Sequence, residues 1–265
     1  MKFLIQQNLI FDKTLDKIES ATKEYDRDFI SLIPYSEEII SNNSINGIDY
    51  IPYGSSRLLE LAHKLNWKGV HYNPETFNYE SAKLNRFDML NDLFIMNIKE
   101  AITFFEYNLD QNRKWFIRPN EVFKYFSGIV MTAKEAANFL ADALNCQSEG
   151  TYRLKDDLEI VISNPVKIDI EWRYFIIGGK IISGSVYMKD GKFLSERVID
   201  KPTLREAQML ADRWLPNDCV VMDVALVEGE LKVIEFNCIN CSGFYDHDID
   251  LIFKEWYNYY LECGF

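Results

Sequence analysis

Short apolar runs alternate with helical patterns along the first third of the chain. The runs with the β-branched and aromatic content of strands are KFLI (2–5), FISLI (29–33), IDYIP (48–52) and GVHY (69–72). In two further stretches, 56–66 and 80–105, apolar residues recur every three or four positions, which is typical of one face of a helix. Strands that alternate with helices predict a small α/β unit.

The polar stretch YNLDQNRK, at 107–114, interrupts this pattern and predicts a domain boundary. We therefore expect an N-terminal α/β domain over 1–108 and a second domain over 109–265. The strand-like runs of the second domain are 114–118, 158–163, 168–177, 180–188, 192–199, 219–227 and 231–237. Because several of them follow one another through short turns, they predict an antiparallel sheet and an α+β fold.

Turn and capping signals set the limits of these elements. Gly178–Gly179 and Asp190–Gly191 have the composition of two-residue hairpin turns. Thr132 and Thr203 are each followed three positions later by a glutamate, which is the capping box that begins a helix. Apolar residues at helical spacing predict a last helix over 249–260.

The last predicted hairpin carries the most informative polar residues. If Val227 pairs with Leu231 across a three-residue loop, then Asp223, Glu235 and Asn237 share one face of the sheet. Asp223 then lies opposite Glu235, with Cβ atoms about 5 Å apart. A divalent cation such as Mg²⁺ or Mn²⁺ would neutralise these two charges and accept oxygen ligands. A two-residue loop would place the acids on opposite faces, and an exposed strand with scattered acids is the other alternative.

Three basic residues are candidates for binding a polyphosphate beside such a metal. Arg118 ends a predicted strand, Lys124 follows it in a loop, and Arg173 lies in the apolar run EWRYFII, where it would pair with Gly184. The alternatives are a solvated surface for Arg118 and Lys124 and a structural ion pair with Glu171 for Arg173. The chain contains neither GxxxxGK[ST] nor GxGxxG, so the sequence does not support a P-loop or Rossmann site.

Composition and charge exclude several classes of partner. With 48% hydrophobic and 26% charged residues, the 265-residue chain has the balance of a globular protein. The net charge of −12 gives it no general attraction to nucleic acid or to an anionic membrane, and no apolar run reaches about 18 residues. Five cysteines with irregular spacing, among them Cys238 and Cys241, predict reduced thiols. We expect a cytoplasmic protein that binds neither nucleic acid nor membrane.

Three segments of the second half resemble ATP-grasp enzymes. IDIEWRYFIIGGKIISGSVY is similar to the D-x-R-x-F-V-x-G-x-K-V segment of the ribosomal-protein glutamate ligases, and VVMDVALVEGELKVIEFN is similar to their Asp…E-x-N metal segment. FIRPNEVFKYFSG resembles the divergent clade in which an arginine replaces the first phosphate-binding lysine. That clade includes a eukaryotic translation-initiation assembly factor and phage and bacterial proteins. The resemblance implies an ATP-grasp fold, with two α+β subdomains that grip ATP, preceded by a small α/β domain.

The resemblance also implies the site residues. Those that would contact the phosphates of ATP or an acyl phosphate are Arg118, Lys124 and Arg173, the last supported by Glu171. Those that would hold Mg²⁺ are Asp223, Glu235 and Asn237. The strand that ends at Ser163 would lead into the hinge whose backbone binds adenine.

The activity that the resemblance implies is ATP- and Mg²⁺-dependent ligation of a carboxylate to an amine. The carboxylate attacks the γ-phosphate of ATP to form an acyl phosphate, and the amine then displaces phosphate to form an amide. A protein or a peptide is a candidate substrate. Two alternatives stay open from the sequence, namely an ATP-binding assembly factor without ligase activity and a phosphotransferase.

Overall fold

The computed structural model describes residues 1–8, 12–33, 38–41, 45, 48–90, 94–121, 125–145, 154, 156–197 and 200–263. The first elements are β1 (Lys2–Gln6), α1 (Asp12–Ala21), β2 (Arg27–Leu32), β3 (Ile39–Ser41), β4 (Tyr50–Tyr53), α2 (Ser56–Lys64) and α3 (Tyr79–Asn85). Strands β1 to β4 form the N-terminal sheet in the order β3-β2-β1-β4. Strand β1 pairs in parallel with both β2 and β4, as the predicted α/β unit requires.

A second sheet, called the small sheet here, follows in the chain. Its elements are β5 (Phe94–Asn97), α4 (Ile98–Glu106), β6 (Lys114–Pro119), β7 (Ile129–Thr132), α5 (Ala133–Asn145) and β8 (Glu159–Ser163). The strands are antiparallel in the order β5-β8-β6-β7. Buried residues of α4 and α5 form one apolar core with this sheet. Strand β5 and helix α4 precede residue 108, and the boundary predicted there stays a prediction.

The third sheet, called the large sheet, contains the C-terminal strands. The elements are β9 (Ile170–Ile177), β10 (Lys180–Lys189), β11 (Lys192–Glu196), α6 (Lys201–Arg213), β12 (Val220–Val227), β13 (Glu230–Cys238) and α7 (Ile249–Cys263). The strands are antiparallel in the order β11-β10-β9-β12-β13. Helix α6 packs on one face, and α7 packs between the other face and the N-terminal sheet. The predicted α+β class is confirmed.

The hairpin turns and one capping box are confirmed in detail. Gly178–Gly179 and Asp190–Gly191 each join two strands directly, and all four residues have positive φ. A two-residue type I′ turn requires that backbone conformation, which glycine adopts without strain. Thr132 precedes α5, and its backbone N–H donates to Glu135 at 2.9 Å. The other predicted box is wrong, because Asp200 caps α6 and accepts from the backbone of Thr203.

The single helix predicted over 80–105 is wrong. Helix α3 ends at Asn85, and the apolar side chains of Leu84 and Phe87 are more than 80% exposed. A new helix, α4, begins after Asn97, whose side chain forms a capping box with Glu100. The regular spacing of apolar residues in this stretch therefore runs across two short helices and the strand between them. The Asn97 cap is the sequence signal that would have separated them.

The strand predicted at 69–72 is also wrong, because a side chain takes up its backbone hydrogen bonds. The buried carboxamide of Asn240 donates to the carbonyls of Pro52 and Gly69 and accepts from the N–H of His71 at 2.9 Å. Asn240 lies in a 3₁₀ turn directly after β13. The Cys238 thiol, which is free, donates to the His71 carbonyl. These contacts fix the N-terminal sheet to the end of β13.

Within the described ranges, none of the helices is both long and apolar enough to cross a membrane.

Two buried histidines are held neutral by the fold. Nδ1 of His71 lies 2.8 Å from the Asn217 side-chain oxygen, and its Nε2 contacts the Tyr260 hydroxyl. Nδ1 of His247 lies 2.9 Å from the Ser183 hydroxyl. Burial lowers the pKa of His71 to about 4 and the pKa of His247 to about 3, whereas an exposed histidine titrates near 6.5.

We expect the free energy of unfolding to fall as the pH decreases from about 7 to about 5. The unfolded histidines take up protons below about pH 6.5, while the folded ones stay neutral, so acid favours the unfolded chain. Each histidine contributes about 2 kcal/mol to this loss. Urea unfolding at the two pH values measures it, and His247→Gln should make the difference between them smaller. An unchanged difference in that variant would show that the pKa of His247 is not lowered.

Candidate active site

A cavity of about 330 Å³ lies between the small sheet and the large sheet. The small sheet and the loop before β7 contribute Phe116, Arg118, Phe126, Ser127, Gly128 and Val130. The segment that connects the two sheets contributes Val166 and Ile168. The large sheet contributes Glu171, Tyr187, Ile234 and Glu235. A cavity of this size with mixed apolar and charged walls is typical of a small-molecule site.

Two carboxylates face each other on the last hairpin, although the turn differs from the predicted one. Val227 pairs with Glu230 across a two-residue turn, so the predicted three-residue loop is wrong. A β-bulge at Ile234 then shifts the pairing by one residue and sets Asp223 opposite Glu235. The bulge therefore compensates for the shorter turn, and the predicted opposition of the two acids is confirmed.

Strand β9, on the other side of β12, supplies the cation that binds the first acid. Arg173 is in register with Asp223 and donates to both of its carboxylate oxygens, at 2.8 and 2.7 Å. Burial lowers the pKa of Arg173, but the charge of Asp223 outweighs it, so the pKa lies above its ordinary value. Arg173 thus pairs with Asp223 rather than Glu171. It lies opposite Ser185 and not Gly184, because β10 is irregular between Ile181 and Ser183.

The second acid is bound by a cation from the small sheet. Arg118 on β6 forms an ion pair with Glu235, and both side chains are about 90% buried. The carboxamide of Asn237 links the two acids, because its nitrogen donates to Asp223 at 3.0 Å and to Glu235 at 3.1 Å. Two guanidinium groups therefore neutralise the two facing carboxylates. The prediction that these acids also hold a divalent cation stays a prediction.

Aromatic rings complete the site and were not predicted from the sequence. The guanidinium carbon of Arg173 lies 4.8 Å from the ring centre of Tyr245 and 5.7 Å from that of Tyr187. The two rings stack with an angle of 8° between their planes. Tyr245 has a φ of 46°, a left-handed conformation that is rare for a bulky residue. These contacts hold the Arg173 side chain in place.

Glu171 is a third carboxylate near the facing pair; it lines the cavity with Glu235 and is half-buried. Burial raises the pKa of Glu171, and the hydrogen bond from the Tyr187 hydroxyl offsets only part of that effect. The nearby charges of Asp223 and Glu235 raise the pKa of Glu171 further. Among the described residues, three carboxylates and two guanidinium groups therefore lie close together at this site.

The donor set fits an oxygen-seeking divalent cation. Asp223, Glu235 and Asn237 are linked by hydrogen bonds, so two carboxylates and one carboxamide meet at one place, and Glu235 among them lines the cavity. Mg²⁺ is usually bound by one or two carboxylates, with phosphate oxygens and water completing its six ligands. Within the described residues, no cluster of three or more His, Cys, Asp or Glu side chains is arranged to hold a metal ion. A bound Mg²⁺ would thus depend on the nucleotide for further ligands.

Two of the predicted site residues stand apart from this arrangement. Ser163 is buried at the end of β8, opposite Phe116, and does not line the cavity. Lys124 lies outside the residues that the structure describes. The connecting segment reaches the cavity through Val166 and Ile168 instead. Their apolar side chains, in a loop of PVKID composition, are the signal for these two cavity positions that was missed in the sequence. The ligand-binding roles of all predicted site residues stay predictions.

The comparisons with known proteins agree with this architecture. The family model described as the ATP-grasp domain, R2K clade family 3, matches residues 45–255. None of the curated proteins matches the chain in sequence. Among solved structures, D-alanine–D-alanine ligase from Bacillus anthracis is similar over 100% of both chains, with a TM-score of 0.63 and 12% identity. D-cycloserine synthetase DcsG is similar over 97% of this chain and 98% of its own, with a TM-score of 0.56 and 11% identity.

A peptide-binding ligase is also among the similar structures. The ATP-grasp ligase PsnB, in complex with precursor peptide PsnA2 and AMPPNP, is similar over 96% of both chains, with a TM-score of 0.51 and 11% identity. Identities this low establish the fold alone. The family match covers most of the sequence, including both sheets that enclose the cavity. The chain therefore belongs to the ATP-grasp superfamily, in the family described as R2K clade family 3.

Proposed function

We propose that this protein is an ATP- and Mg²⁺-dependent ligase that joins a carboxylate to an amine through an acyl phosphate. The observation that carries the proposal is a continuous hydrogen-bonded array of charged and polar groups that reaches the cavity at Glu235 and Arg118. It runs from Arg173 through Asp223, Asn237 and Glu235 to Arg118. Phosphoryl transfer depends mostly on positioning and on stabilising charge, and this array provides both.

Arg118 and Arg173 would stabilise the negative charge of the reaction. Arg118 lines the cavity, where it would bind phosphate oxygens of ATP. Arg173 is held by Asp223 and by the Gly243 carbonyl, so these protein contacts fix its orientation. It would bind the transferred phosphoryl group as the carboxylate oxygen attacks the γ-phosphorus, the bond from that phosphorus to the bridging oxygen breaks, and ADP leaves with the bonding electrons. An amine then attacks the carbonyl carbon, the C–O bond breaks, and phosphate leaves with the bonding electrons.

Asp223, Glu235 and Asn237 would hold the Mg²⁺. When bound, this ion neutralises phosphate charge and orients the phosphate chain. The apolar side chains of Val166 and Ile168, which line the cavity, would pack against adenine. Glu171 and Tyr187 line the cavity from the large sheet, where they would face the ribose or the first phosphates. The acceptor would then bind beside Arg173 and Tyr245.

A peptide or protein is the proposed carrier of at least one of the reacting groups. The support is the similarity to PsnB bound to a precursor peptide, while the ligases named for D-alanine and D-cycloserine show that the same fold serves small substrates. The proposed location of the reaction is the cytoplasm, where ATP and Mg²⁺ are abundant.

The test is release of ADP that requires both a carboxylate and an amine. The protein, ATP and Mg²⁺ are incubated with amino acids and short peptides, and the products are identified by mass spectrometry. An amide product, or a hydroxamate when hydroxylamine replaces the amine, supports ligation. ATP binding without turnover would instead support the assembly-factor alternative. A stable phosphorylated product, with no amide, would support the phosphotransferase alternative.

A further inference from the structure

Strand β11 forms the edge of the large sheet at the end opposite β13. Among the described strands it pairs only with β10, so the backbone N–H and C=O groups on its outer side face no other strand. Its side chains are mostly exposed, and the ring of Phe193 is 66% exposed. An exposed aromatic ring on an unpaired strand edge favours association with another polypeptide segment.

Phe193 lies on the same face of the large sheet as the cavity. It pairs with Met188 of β10, which pairs with Glu171 of β9, and residues directly opposite each other share one face of a sheet. Glu171 lines the cavity. The Phe193 ring is therefore on the cavity side, where its centre lies 6.0 Å from that of Tyr245.

Tyr245 connects this edge with the charged groups of the active site. Its ring stacks on Tyr187, which lines the cavity, and lies 4.8 Å from the guanidinium carbon of Arg173. Despite these contacts, Tyr245 is 43% exposed. An extended chain advances about 3.3 Å per residue, so about three or four residues would reach from Phe193 to Arg173.

The other face of the same edge carries two lysines. Lys189 and Lys192 pair directly across the β10–β11 turn, and like charges in that position are unfavourable. Both are exposed, and no carboxylate among the described residues forms an ion pair with either. Leu194, two residues after Lys192, packs into the core beneath α6, so the lysines lie on the α6 side of the sheet. On a chain of net charge −12, they form a local site for negative charge.

We infer that β11 is a docking edge for an extended segment of a peptide substrate, in which acidic and apolar side chains alternate. The segment would add to the sheet as a further strand through backbone hydrogen bonds. Because successive side chains of a strand point to opposite faces, its apolar ones would contact Phe193 and Tyr245 while its acidic ones would contact Lys189 and Lys192. The inference rests on the proposed function, since the residues that follow the docked segment would reach Arg173. It adds the binding mode and the composition of the substrate.

The test measures peptide binding by fluorescence anisotropy in the absence of ATP. The probe is a short labelled peptide of alternating glutamate and valine. We expect the wild type to bind it about tenfold or more tightly than a peptide of alternating lysine and valine, with a smaller difference at high salt. A glutamate–valine peptide that is N-methylated at every residue cannot donate hydrogen bonds to β11, so it should bind about tenfold or more weakly than the unmodified one. Equal binding of the three peptides would overturn the inference.

Phe193→Ala and Lys192→Glu test the edge itself. Each should weaken binding of the glutamate–valine peptide by about tenfold, because the first removes the apolar contact and the second reverses the charge. The matched control is Phe87→Ala, which removes a phenylalanine that is 84% exposed on the segment after α3 and should bind like the wild type. Unchanged binding in Phe193→Ala, or an equal loss in both phenylalanine variants, would count decisively against the docking edge.

Sedimentation of the wild type and Phe193→Ala separates a peptide from a second copy of this chain. We expect the two proteins to sediment alike. A wild-type dimer that Phe193→Ala dissociates would show that a second copy covers β11, and would overturn the inference.

Failure of the docking edge and failure of the ligase proposal give different results. Peptide binding without any ATP turnover would support the docking edge and contradict the ligase. Turnover with small amines and carboxylates, but without peptide binding, would support the ligase and overturn the docking edge.

Discussion

Replacing Asp223 by alanine is expected to abolish ATP turnover and to lower the free energy of unfolding by about 3–5 kcal/mol. Asp223 accepts two hydrogen bonds from Arg173 and a third from Asn237, and its side chain is 1% exposed. Its removal leaves the guanidinium of Arg173 buried without its counter-charge. It also removes one of the proposed Mg²⁺ ligands. Coupled measurement of ADP release and urea unfolding of the same preparation records both effects.

A double variant separates these two effects. In Asp223→Leu with Arg173→Met, the buried charge pair is replaced by apolar side chains of similar volume, so most of the lost stability should return. ATP turnover should not return, because both charged groups are absent. Asp212→Ala, which removes an exposed carboxylate on α6, is the control and should change neither quantity. Normal ATP turnover in Asp223→Ala would contradict the assignment of the active site.

Local sequence signals account for most of the strands. The glycines at 178, 179 and 191 require positive φ, so they located two hairpin turns and fixed the order of β9, β10 and β11. The capping box at Thr132 located the start of α5 for a similar reason, since a side chain satisfies a backbone group a few positions away. Such signals act over a few residues, and a single sequence shows them directly.

Features that depend on distant parts of the chain could not be predicted. No local sequence signal marks the bulge at Ile234. It shifts the register by one residue, and the turn, which is one residue shorter than predicted, shifts it back, so Asp223 still lies opposite Glu235. The exposure of Leu84 and Phe87 follows from the pairing of the next residues with β13, which no periodicity reveals. Asn240 also comes from a distant part of the chain. Its side chain donates to the Gly69 carbonyl, which would otherwise bond to a neighbouring strand.

The sequence indicated which side chains meet on the last hairpin, but it did not indicate which arginine binds which acid. Asp223, Glu235 and Asn237 meet as their alternation indicated, and Arg118 and Arg173 lie beside them. Which acid each arginine binds depends on the strand order β9-β12-β13 and on the approach of β6, and neither can be deduced from spacing. Because two arginines pair with these acids, the charge on the hairpin alone does not establish a metal.

A second network of buried charges supports the site from the outer edge of the large sheet. The Asp88 carboxylate accepts from both Arg86 and Arg213, and its pKa is lowered because these two contacts outweigh the effect of burial. Arg86 also donates to the carbonyls of Leu210 and Trp214 at the end of α6. The backbone on both sides of Met89 bonds to Val233 of β13 at 2.8 Å. This network therefore fixes the edge strand that carries Glu235 and Asn237.

We expect Asp88→Asn to lower the free energy of unfolding by about 3–5 kcal/mol, because it leaves the buried guanidinium of Arg86 without a counter-charge. The exposed carboxylate of Asp156, which pairs with Lys99 at 3.3 Å, provides the matched control. Asp156→Asn should cost less than about 1 kcal/mol, since water screens that pair. Urea unfolding at neutral pH measures both variants. Asp88 does not line the cavity, so folded Asp88→Asn should still bind ATP. Its affinity should be weaker than that of the wild type, because the variant loosens the contacts that position β13. Equal small losses in both variants would show that the Arg86–Asp88–Arg213 network does not hold the edge of the sheet in place.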